Sequence, residues 1–344
     1  MRAQARRSRR PWPAAPRSRI LILRHCRHQW DYNEDFRLWL ADVVPQCAAL
    51  LEWHELSAPL PRDPSRYALL VPWLQDPLAE RFPGCHARAL EWQRVLTAAG
   101  AAVVNPVQSL SVSLKSRALP LIGGTGLRTA RSLAFDRLDE LQAHPQCPPL
   151  PLLVRDDVRH GSPLQLIERW DDIGRISLAG IDHPLALEFI DTRGTDGLYR
   201  KYRAFVFGGH CVPRHLVIGR DPFLHVRDRV QTPAARSEEL GYLYGPPPPQ
   251  AAQFEAARRA LGLDFVAFDY AFDRQGRTVV FEPNPLPLLW SRGNQQRRYR
   301  DYYQLPALER LYLQLLHWLL ERAGLAEAAW ALPGPSAPVF WGRP

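Results

Sequence analysis

The chain has 344 residues, which is enough for two or three packed lobes, and 46% hydrophobic with 23% charged residues is typical of a globular protein. Its apolar runs are too short to span a bilayer and no secretory signal is visible, so we expect a cytoplasmic protein without a membrane partner. The net charge of +9 is concentrated in the first nineteen residues, where seven arginines stand without an acid, leaving +2 for the other 325 residues. The charge therefore does not by itself indicate a nucleic-acid-binding protein.

Two compositional features follow from the same arginine usage. We interpret residues 1–19 as a disordered basic arm that binds nucleic acid only non-specifically. Across the whole chain there are 42 arginines and only two lysines, Lys115 and Lys201. Under such a bias a retained lysine is a candidate for a role that needs a compact ammonium rather than a guanidinium fork. Chance retention is the alternative for each lysine.

The N-terminal part of the chain alternates between strand and helix patterns. Short apolar runs predict strands at 19–23, 67–71 and 101–104, and apolar periodicity predicts helices at 35–51 and 87–99. Strand, helix, strand, helix, strand is typical of a small parallel α/β lobe, which we place at residues 20–108.

From residue 109 onward the pattern changes. A helix, a Gly-rich turn at 123–126 and a second helix are predicted up to Gln142. The Gly-rich stretch is interpreted as a turn, because no strand leads into it and no GK[ST] follows. The later predicted elements are strands at 152–155 and 185–190, a hairpin of 199–207 and 212–218, a helix at 251–261, a hairpin of 265–272 and 278–282, and a helix at 305–323.

The strongest chemical signal lies in the last hairpin. Asp269 stands in a hydrophobic stretch where a charge needs a partner, and Glu282 and Asn284 are two residues apart, so their side chains point to the same face. The hairpin brings Asp269 opposite that pair. Two carboxylates and an amide oxygen form a hard oxygen site suited to Mg²⁺, with Mn²⁺ as a possible substitute. The alternative, a solvated turn with a chance polar end, fits poorly because three β-formers directly precede Glu282.

The segment 262–285 resembles the metal-binding signature of the ATP-grasp superfamily, as in glutathione synthetase and the ribosomal-protein glutamate ligase. There an Asp, a Glu thirteen residues later and an Asn two further on hold Mg²⁺ against the phosphates of ATP, and Asp269, Glu282 and Asn284 match this spacing. The resemblance implies an α/β fold in which a small N-terminal parallel lobe precedes two α+β lobes that clamp ATP. The ATP-grasp domain would span 109–324, with a central lobe at 109–187, a C-terminal lobe at 188–324, and a loose tail at 325–344.

The same resemblance implies roles for residues elsewhere in the chain. The segments 196–203 and 213–216 are similar to those of an uncharacterised bacterial branch of the superfamily. Arg203 and Lys201, and more weakly His215, would meet the transferring phosphoryl group. Asp191 or Asp196 would reach the ribose. The remaining implied nucleotide contacts are Lys115, Arg155, His160, Gly161, Glu188, Phe189 and Ile190.

The sequence departs from the superfamily pattern in three places. Arg155 replaces the usual lysine and is a forked rather than a point donor. The loop 156–162 contains a single glycine, so it would clamp phosphate less closely. Ala267 stands where some relatives have an arginine. These departures concern the geometry of ATP binding more than the fold.

The function implied by the resemblance is that of an ADP-forming carboxylate–amine ligase that uses ATP and Mg²⁺. It would activate a carboxylate as an acyl phosphate for attack by an amine, with an amino acid, a peptide or a peptide-like molecule as substrate. A homodimer is compatible with it. Two alternatives stay open: an ATP-binding regulatory or scaffold protein with reduced catalysis, and a nucleic-acid-binding protein led by its basic arm.

Overall fold

The computed structural model describes residues 17–25, 34–159, 161, 163–224, 229–286, 303–329 and 332. Residues 1–16 of the basic arm, His160 and the tail from residue 333 lie outside the described residues. The described chain is a mixed α/β structure with three sheets, one parallel, one antiparallel and one mixed. None of its helices combines the length and the apolar character that crossing a membrane requires.

The N-terminal sheet is parallel, as the sequence predicts, with four strands in the order β2-β1-β3-β4. Its elements are β1 (Arg19–Arg24), α1 (Glu34–Val43), α2 (Pro45–Ala48), β2 (Leu51–Glu55), β3 (Tyr67–Pro72), α3 (Leu78–Arg81), α4 (Pro83–Ala98) and β4 (Ala102–Val103). The predicted helix at 35–51 is wrong at its C-terminal end. Val44 precedes a proline and leaves the helical region at φ −135°, and Leu51 begins a strand that the sequence analysis missed.

A second sheet is antiparallel, with the strand order β6-β9-β7-β8. The elements from this part of the chain are α5 (Lys115–Gly123), β5 (Arg128–Thr129), β6 (Ser132–Ala134), α6 (Leu138–Leu141), β7 (Leu152–Asp156), β8 (Gln165–Ile167) and β9 (Pro184–Glu188). The second helix predicted before Gln142 is wrong. The segment instead forms two short strands and one helical turn, because pairing with other strands overrides its local helix propensity.

The third sheet has five strands in the order β11-β10-β12-β13-β5, antiparallel except for the pairing of β13 with β5. Its long strands are the two predicted hairpins. The elements are β10 (Tyr199–Phe207), β11 (His210–Gly219), α7 (Pro233–Tyr244), α8 (Ala251–Ala260), β12 (Phe265–Phe272), β13 (Thr278–Asn284), α9 (Leu305–Arg322) and α10 (Ala326–Ala329). Helix α7 was not predicted, although Thr232 caps it through the backbone N–H of Ala235 and Pro233 stands in its first turn.

The two faces of this third sheet have different neighbours. Ala204, Val206 and Phe268 point to one face and belong to the hydrophobic cluster that includes α8 and α5. Phe205 and Phe207 point to the other face, within the cluster formed with α9 and the N-terminal sheet. Because side chains alternate along a strand, the residues that follow Phe205 on its face toward the start of β10 are Arg203 and Lys201. The apolar packing of this face therefore gives way to charged side chains.

Candidate active site

Four polar side chains form a row across the five-stranded sheet. The register pairs His215 with Arg203, Arg203 with Asp269, and Asp269 with Glu282, on strands β11, β10, β12 and β13. Directly paired residues share a face of the sheet, so all four side chains lie on the face that also carries the apolar packing against α9. We call this arrangement the polar row.

Two β-bulges flank the polar row. The register shifts between Arg203 and the next residue of β10, which leaves Arg214 as an extra residue in β11. It shifts again beside Asp269, which leaves Phe281 as an extra residue in β13. A bulge sets two residues of one strand against one of its partner and redirects their side chains. As a result Phe281 and Glu282, although adjacent in sequence, both line the same cleft.

This cleft lies between the antiparallel sheet and the five-stranded sheet and has a volume of about 620 Å³, within the range of small-molecule sites. Both apolar and charged side chains line it. The lining residues that the sequence analysis singled out are Lys115, Arg155, Gly161, Glu188, Phe189, Ile190, Lys201, Arg203, Asp269 and Glu282. The structure thus brings together ten residues that are spread over 168 positions of the chain.

Two ion pairs, each with one buried member, line the cleft. Arg203 donates from Nε and Nη2 to the two oxygens of Asp269, at 2.5 and 2.8 Å, and Asp269 is only 2% exposed. Burial acts to lower the pKa of Arg203, but the charge of Asp269, the hydrogen bonds to it and the charge of Glu282 together raise the pKa. Lys115 donates to Oε2 of Glu282 at 2.5 Å and to the carbonyl oxygen of Phe281 at 3.2 Å. Burial lowers the pKa of Lys115 in spite of Glu282.

Two other cations of the cleft are bonded to backbone carbonyl oxygens. Lys201 donates from Nζ to the carbonyl oxygen of Leu224 at 2.7 Å. Arg155 donates to the carbonyl oxygens of Asp156 at 3.0 Å and Arg159 at 3.2 Å. Within the described part of the chain neither forms an ion pair, so both charges are available to an anionic ligand such as a phosphate. Both lysines of the protein therefore line this one cleft.

The segment after β9 forms another part of the cleft wall. Glu188 accepts hydrogen bonds from Nη2 of Arg128 and from the backbone N–H of Arg131, both at 3.2 Å. The neighbouring residues Phe189 and Ile190 line the cleft, and the N–H of Phe189 donates to the carbonyl oxygen of Pro151 at 3.0 Å. The arrangement offers an apolar wall at the place where the sequence analysis expects adenine.

The two acids expected near the ribose are engaged elsewhere. Asp191 binds Nη2 of Arg274 at 2.6 Å. Asp196 binds two nitrogens of Arg200 at 2.8 and 3.0 Å, and these bonds lower the pKa of Asp196 to about 2. Neither acid is among the residues that line the cleft, whereas Thr192 is. The sequence analysis missed Thr192, since a lone threonine next to two acids gives no distinct signal.

The loop after β7 begins at an acid that the sequence analysis passed over. Asp156 is fully buried and accepts hydrogen bonds from the backbone N–H groups of Val158, Arg159, Asp182 and His183, at 2.8 to 3.3 Å. Burial raises the pKa of this carboxyl, but the four N–H donors prevail and the pKa is lowered. Asp156 therefore holds the start of the loop that carries Gly161 against the cleft.

His215 lies at the end of the polar row and not in the lining of the cleft. Its pKa is well below the usual range, first because it is buried and then because Arg203, Arg214 and Lys201 surround it with positive charge. The imidazole is therefore neutral near pH 7, which makes it a hydrogen-bonding group rather than a cation.

A cation site is compatible with the donors on this face. Asn284 pairs with Ala267 in the register and so shares a face with Asp269 and Glu282, and its buried Nδ2 has no hydrogen-bond partner. Across the described residues no group of three acids, histidines or cysteines is close enough to form a metal site. Two carboxylates and one amide are a donor set that suits Mg²⁺ when phosphate and water supply the other oxygens.

Solved structures of ligases share this architecture. The chain is similar to the ATP-grasp ligase PsnB complexed with a minimal precursor, with a TM-score of 0.54 and 13% identity over 89% of this chain and 99% of that chain. It is also similar to the D-cycloserine synthetase DcsG, with a TM-score of 0.53 and 18% identity over 85% and 99%. For D-alanyl-alanine synthetase A from Vibrio cholerae the TM-score is 0.53, with 12% identity over 89% and 98%. No protein-family model and no curated protein matches the sequence.

These likenesses establish the class of fold. The chain has the ATP-grasp fold, which confirms the fold expected from the hairpin motif. All three structures are less than 25% identical to the chain, so they support the fold and not a particular reaction.

Proposed function

We propose that the protein is an ATP- and Mg²⁺-dependent ligase that activates a carboxylate as an acyl phosphate, which an amine or similar nucleophile then attacks. The observation that carries the proposal is the cleft itself. It joins two ion pairs, Lys115 with Glu282 and Arg203 with Asp269, to the cations Arg155 and Lys201, which have no acidic partner among the described residues. Clustered cations around a cleft suit phosphoryl transfer, because the protein's part in that reaction is positioning and charge neutralisation.

The proposed division of the chain places most strands of each sheet in one lobe, with β5 as the exception. We assign residues 20–108 to an N-terminal lobe, 109–187 to a central lobe and 188–324 to a C-terminal lobe, with ATP between the last two. Glu188, Phe189 and Ile190 would hold the adenine. Arg155 and Gly161 would face the phosphates from the central lobe.

The remaining roles concern the polar row. Arg203 and Lys201 would neutralise the charge that develops on the transferring phosphoryl group. Asp269, Glu282 and Asn284 would hold Mg²⁺, which would offset the negative charge of the phosphates. Lys115, already paired with Glu282, would keep that carboxylate ionised and oriented. The proposal that Mg²⁺ and a nucleotide bind here is supported by one structural neighbour, PsnB, which was solved with Mg and ADP.

The decisive measurement is the affinity for ATP with and without Mg²⁺. We expect the protein to bind ATP more tightly with Mg²⁺ than with a chelator, and Glu282→Gln to lose that difference, because the amide keeps a bond to Lys115 but removes an anionic ligand. Glu55→Gln, at the end of a strand outside the cleft, is the matched control. If Mg²⁺ still strengthens ATP binding to Glu282→Gln as much as to the unsubstituted protein, Glu282 is not a metal ligand. A screen of ADP release against amino acids, peptides and hydroxy acids then tests ligation.

A further inference from the structure

Arg214 is a fully buried cation without a hydrogen-bond partner. Its side chain is 1% exposed, and Nε, Nη1 and Nη2 bond to nothing in the described part of the chain. Two partly buried arginines behave differently. Arg203 is bound by Asp269, and Arg258 binds Glu255 and the carbonyl oxygen of Leu263. A buried guanidinium without a partner strongly destabilises a fold. The presence of Arg214 therefore indicates that an anionic ligand binds it.

The position of Arg214 follows from the bulge in β11. The bulge inserts Arg214 directly before His215, at the end of the polar row. Arg203 lies close enough to repel it electrostatically, and Tyr312 of α9 and Glu239 of α7 are the groups that favour its charge. Its guanidinium is therefore enclosed between the polar row and two helices, beside the residue that we assign to the transferring phosphoryl group.

Glu239 is the acid whose charge favours the protonated form of Arg214, but it is hydrogen-bonded to other groups. Oε1 of Glu239 accepts from Nε2 of Gln304 at 2.8 Å and from the N–H of Leu216 at 3.3 Å, and Oε2 accepts from the hydroxyl of Tyr303 at 2.5 Å. Glu239 forms no ion pair with Arg214. Burial lowers the pKa of Arg214 to about 10, which still leaves it protonated at neutral pH. The site consequently holds an uncompensated positive charge.

The charge and size of this site favour one class of anion. A single guanidinium next to a neutral imidazole matches one negative charge, and its planar fork matches the two oxygens of a carboxylate. The phosphates of ATP have their own cations in the cleft, namely Lys115, Arg155 and Lys201. Of the nearby cations, Arg203 is already paired with Asp269 and Lys201 lines the cleft, so a carboxylate with one negative charge suits Arg214 better than a phosphate dianion does.

We propose that Arg214 binds a carboxylate of the second substrate and holds that substrate beside Arg203. The substrate of the ligase is then an acid whose carboxylate lies against Arg214, next to the polar row. The identity of the anion rests on the proposed ligase function, whereas the existence of the anion site does not.

The experiment uses the full chain, no ATP, and sodium acetate as the probe. Thermal unfolding is followed in acetate, in inorganic phosphate and in chloride at equal ionic strength, for the protein and for Arg214→Met. We expect 100 mM acetate to raise the Tm of the unsubstituted protein by about 2 °C or more over chloride, as for a ligand with a millimolar Kd. We expect no such difference in Arg214→Met.

The Tm of Arg214→Met in chloride provides a second test, which does not depend on any ligand. Because methionine removes an unpaired buried charge and keeps most of the volume, Arg214→Met should have a higher Tm than the unsubstituted protein in chloride. The matched control is Arg258→Met, which breaks two existing contacts and should lower the Tm.

The outcomes separate the two proposals. A lower Tm for Arg214→Met in chloride would mean that the guanidinium has a native protein partner, and the inference falls. An equal response to acetate in both proteins, or a response of Arg214 to phosphate alone, also overturns it. Because no arm contains ATP or Mg²⁺, a failure of the ligase proposal would leave these results unchanged.

Discussion

At the scale of single residues, the two lysines show what composition can reveal. Their rarity among 42 arginines made them candidates for chemistry, and both line the cleft. Lys115 is 7% exposed and sits between Glu282 and a backbone carbonyl, a space that fits a compact ammonium. Arg214 gave no comparable signal, because one more arginine in an arginine-rich chain is not distinctive. Only the bulge and the surrounding helices make it unusual.

We predict that Lys115→Arg and Lys201→Arg each weaken ATP binding by about tenfold or more, equivalent to ~1.4 kcal/mol. The larger, planar guanidinium cannot occupy the space between Glu282 and Phe281 without moving one of them, and at position 201 it cannot direct a single compact charge into the cleft. Isothermal titration with Mg-ATP measures the effect. Arg94→Lys, at an exposed position on α4, should change nothing. If neither variant changes the affinity for Mg-ATP, the two lysines were retained by chance and not for their ammonium groups.

Among the secondary-structure elements, the two hairpins could be predicted from the sequence, whereas their β-bulges and the short strands could not. Long strands such as β10 and β12 are rich in aromatic and other β-forming residues, so their own sequence predicts them. Short strands such as β5 and β6 exist only because a partner strand pairs with them, so a local pattern cannot reveal them. The bulges at Arg214 and Phe281 likewise depend on the register between strands. The sequence thus predicted that Asp269 and Glu282 lie opposite each other, but not which side chains a bulge redirects.

The turn between β10 and β11 yields a prediction about how the sheet packs against α9. Gly208 and Gly209 both have positive φ angles, 53° and 80°, which disfavour any residue with a Cβ. A Cβ on Gly208 would lie 2.4 Å from Cδ1 of the buried Trp318, whereas a Cβ on Gly209 would meet nothing within 4 Å. We expect Gly208→Ala to lower the free energy of unfolding by at least about 1 kcal/mol more than Gly209→Ala does.

Chemical denaturation of the two variants checks this, and Gly209→Ala is the built-in control because it shares the cost of a positive φ. The difference between them isolates the contact with Trp318. Equal losses of stability would mean that the ring moves aside at little cost and that α9 is not tightly packed on this hairpin.

At the scale of the whole molecule, the terminal parts of the described chain meet in one core. Tyr312 of α9 packs against Phe36 and Trp39 of α1, with ring centroids 5.2 and 5.3 Å apart. The same hydrophobic cluster includes Phe205 and Phe207 of the five-stranded sheet. The N-terminal sheet therefore supports the face that carries the polar row, although no described residue that lines the cleft comes from before Lys115.

Because the N-terminal part of the chain does not line the cleft, we can predict the effect of removing the basic arm. Residues 1–16 contain five arginines and no acid, so removing them lowers the net charge from +9 to +4. Starting the chain at Arg17 keeps the bond from Nη1 of Arg17 to the carbonyl oxygen of Gly100, at 3.0 Å. Every described residue that lines the cleft lies between Lys115 and Glu282. We therefore predict that the truncated protein keeps its affinity for Mg-ATP and its Tm.

The same truncation should reduce binding to DNA or RNA at low salt and flatten its dependence on salt, because fewer cations displace counterions from the phosphate backbone. Titrations of ATP and of an oligonucleotide at two salt concentrations measure both effects on the same two proteins. Affinity of the full chain for nucleic acid at low salt is uninformative alone, since any run of arginines provides it. If the truncated protein stays folded but no longer binds ATP, the arm contributes to the site, and the proposed division of the chain at residue 20 is wrong.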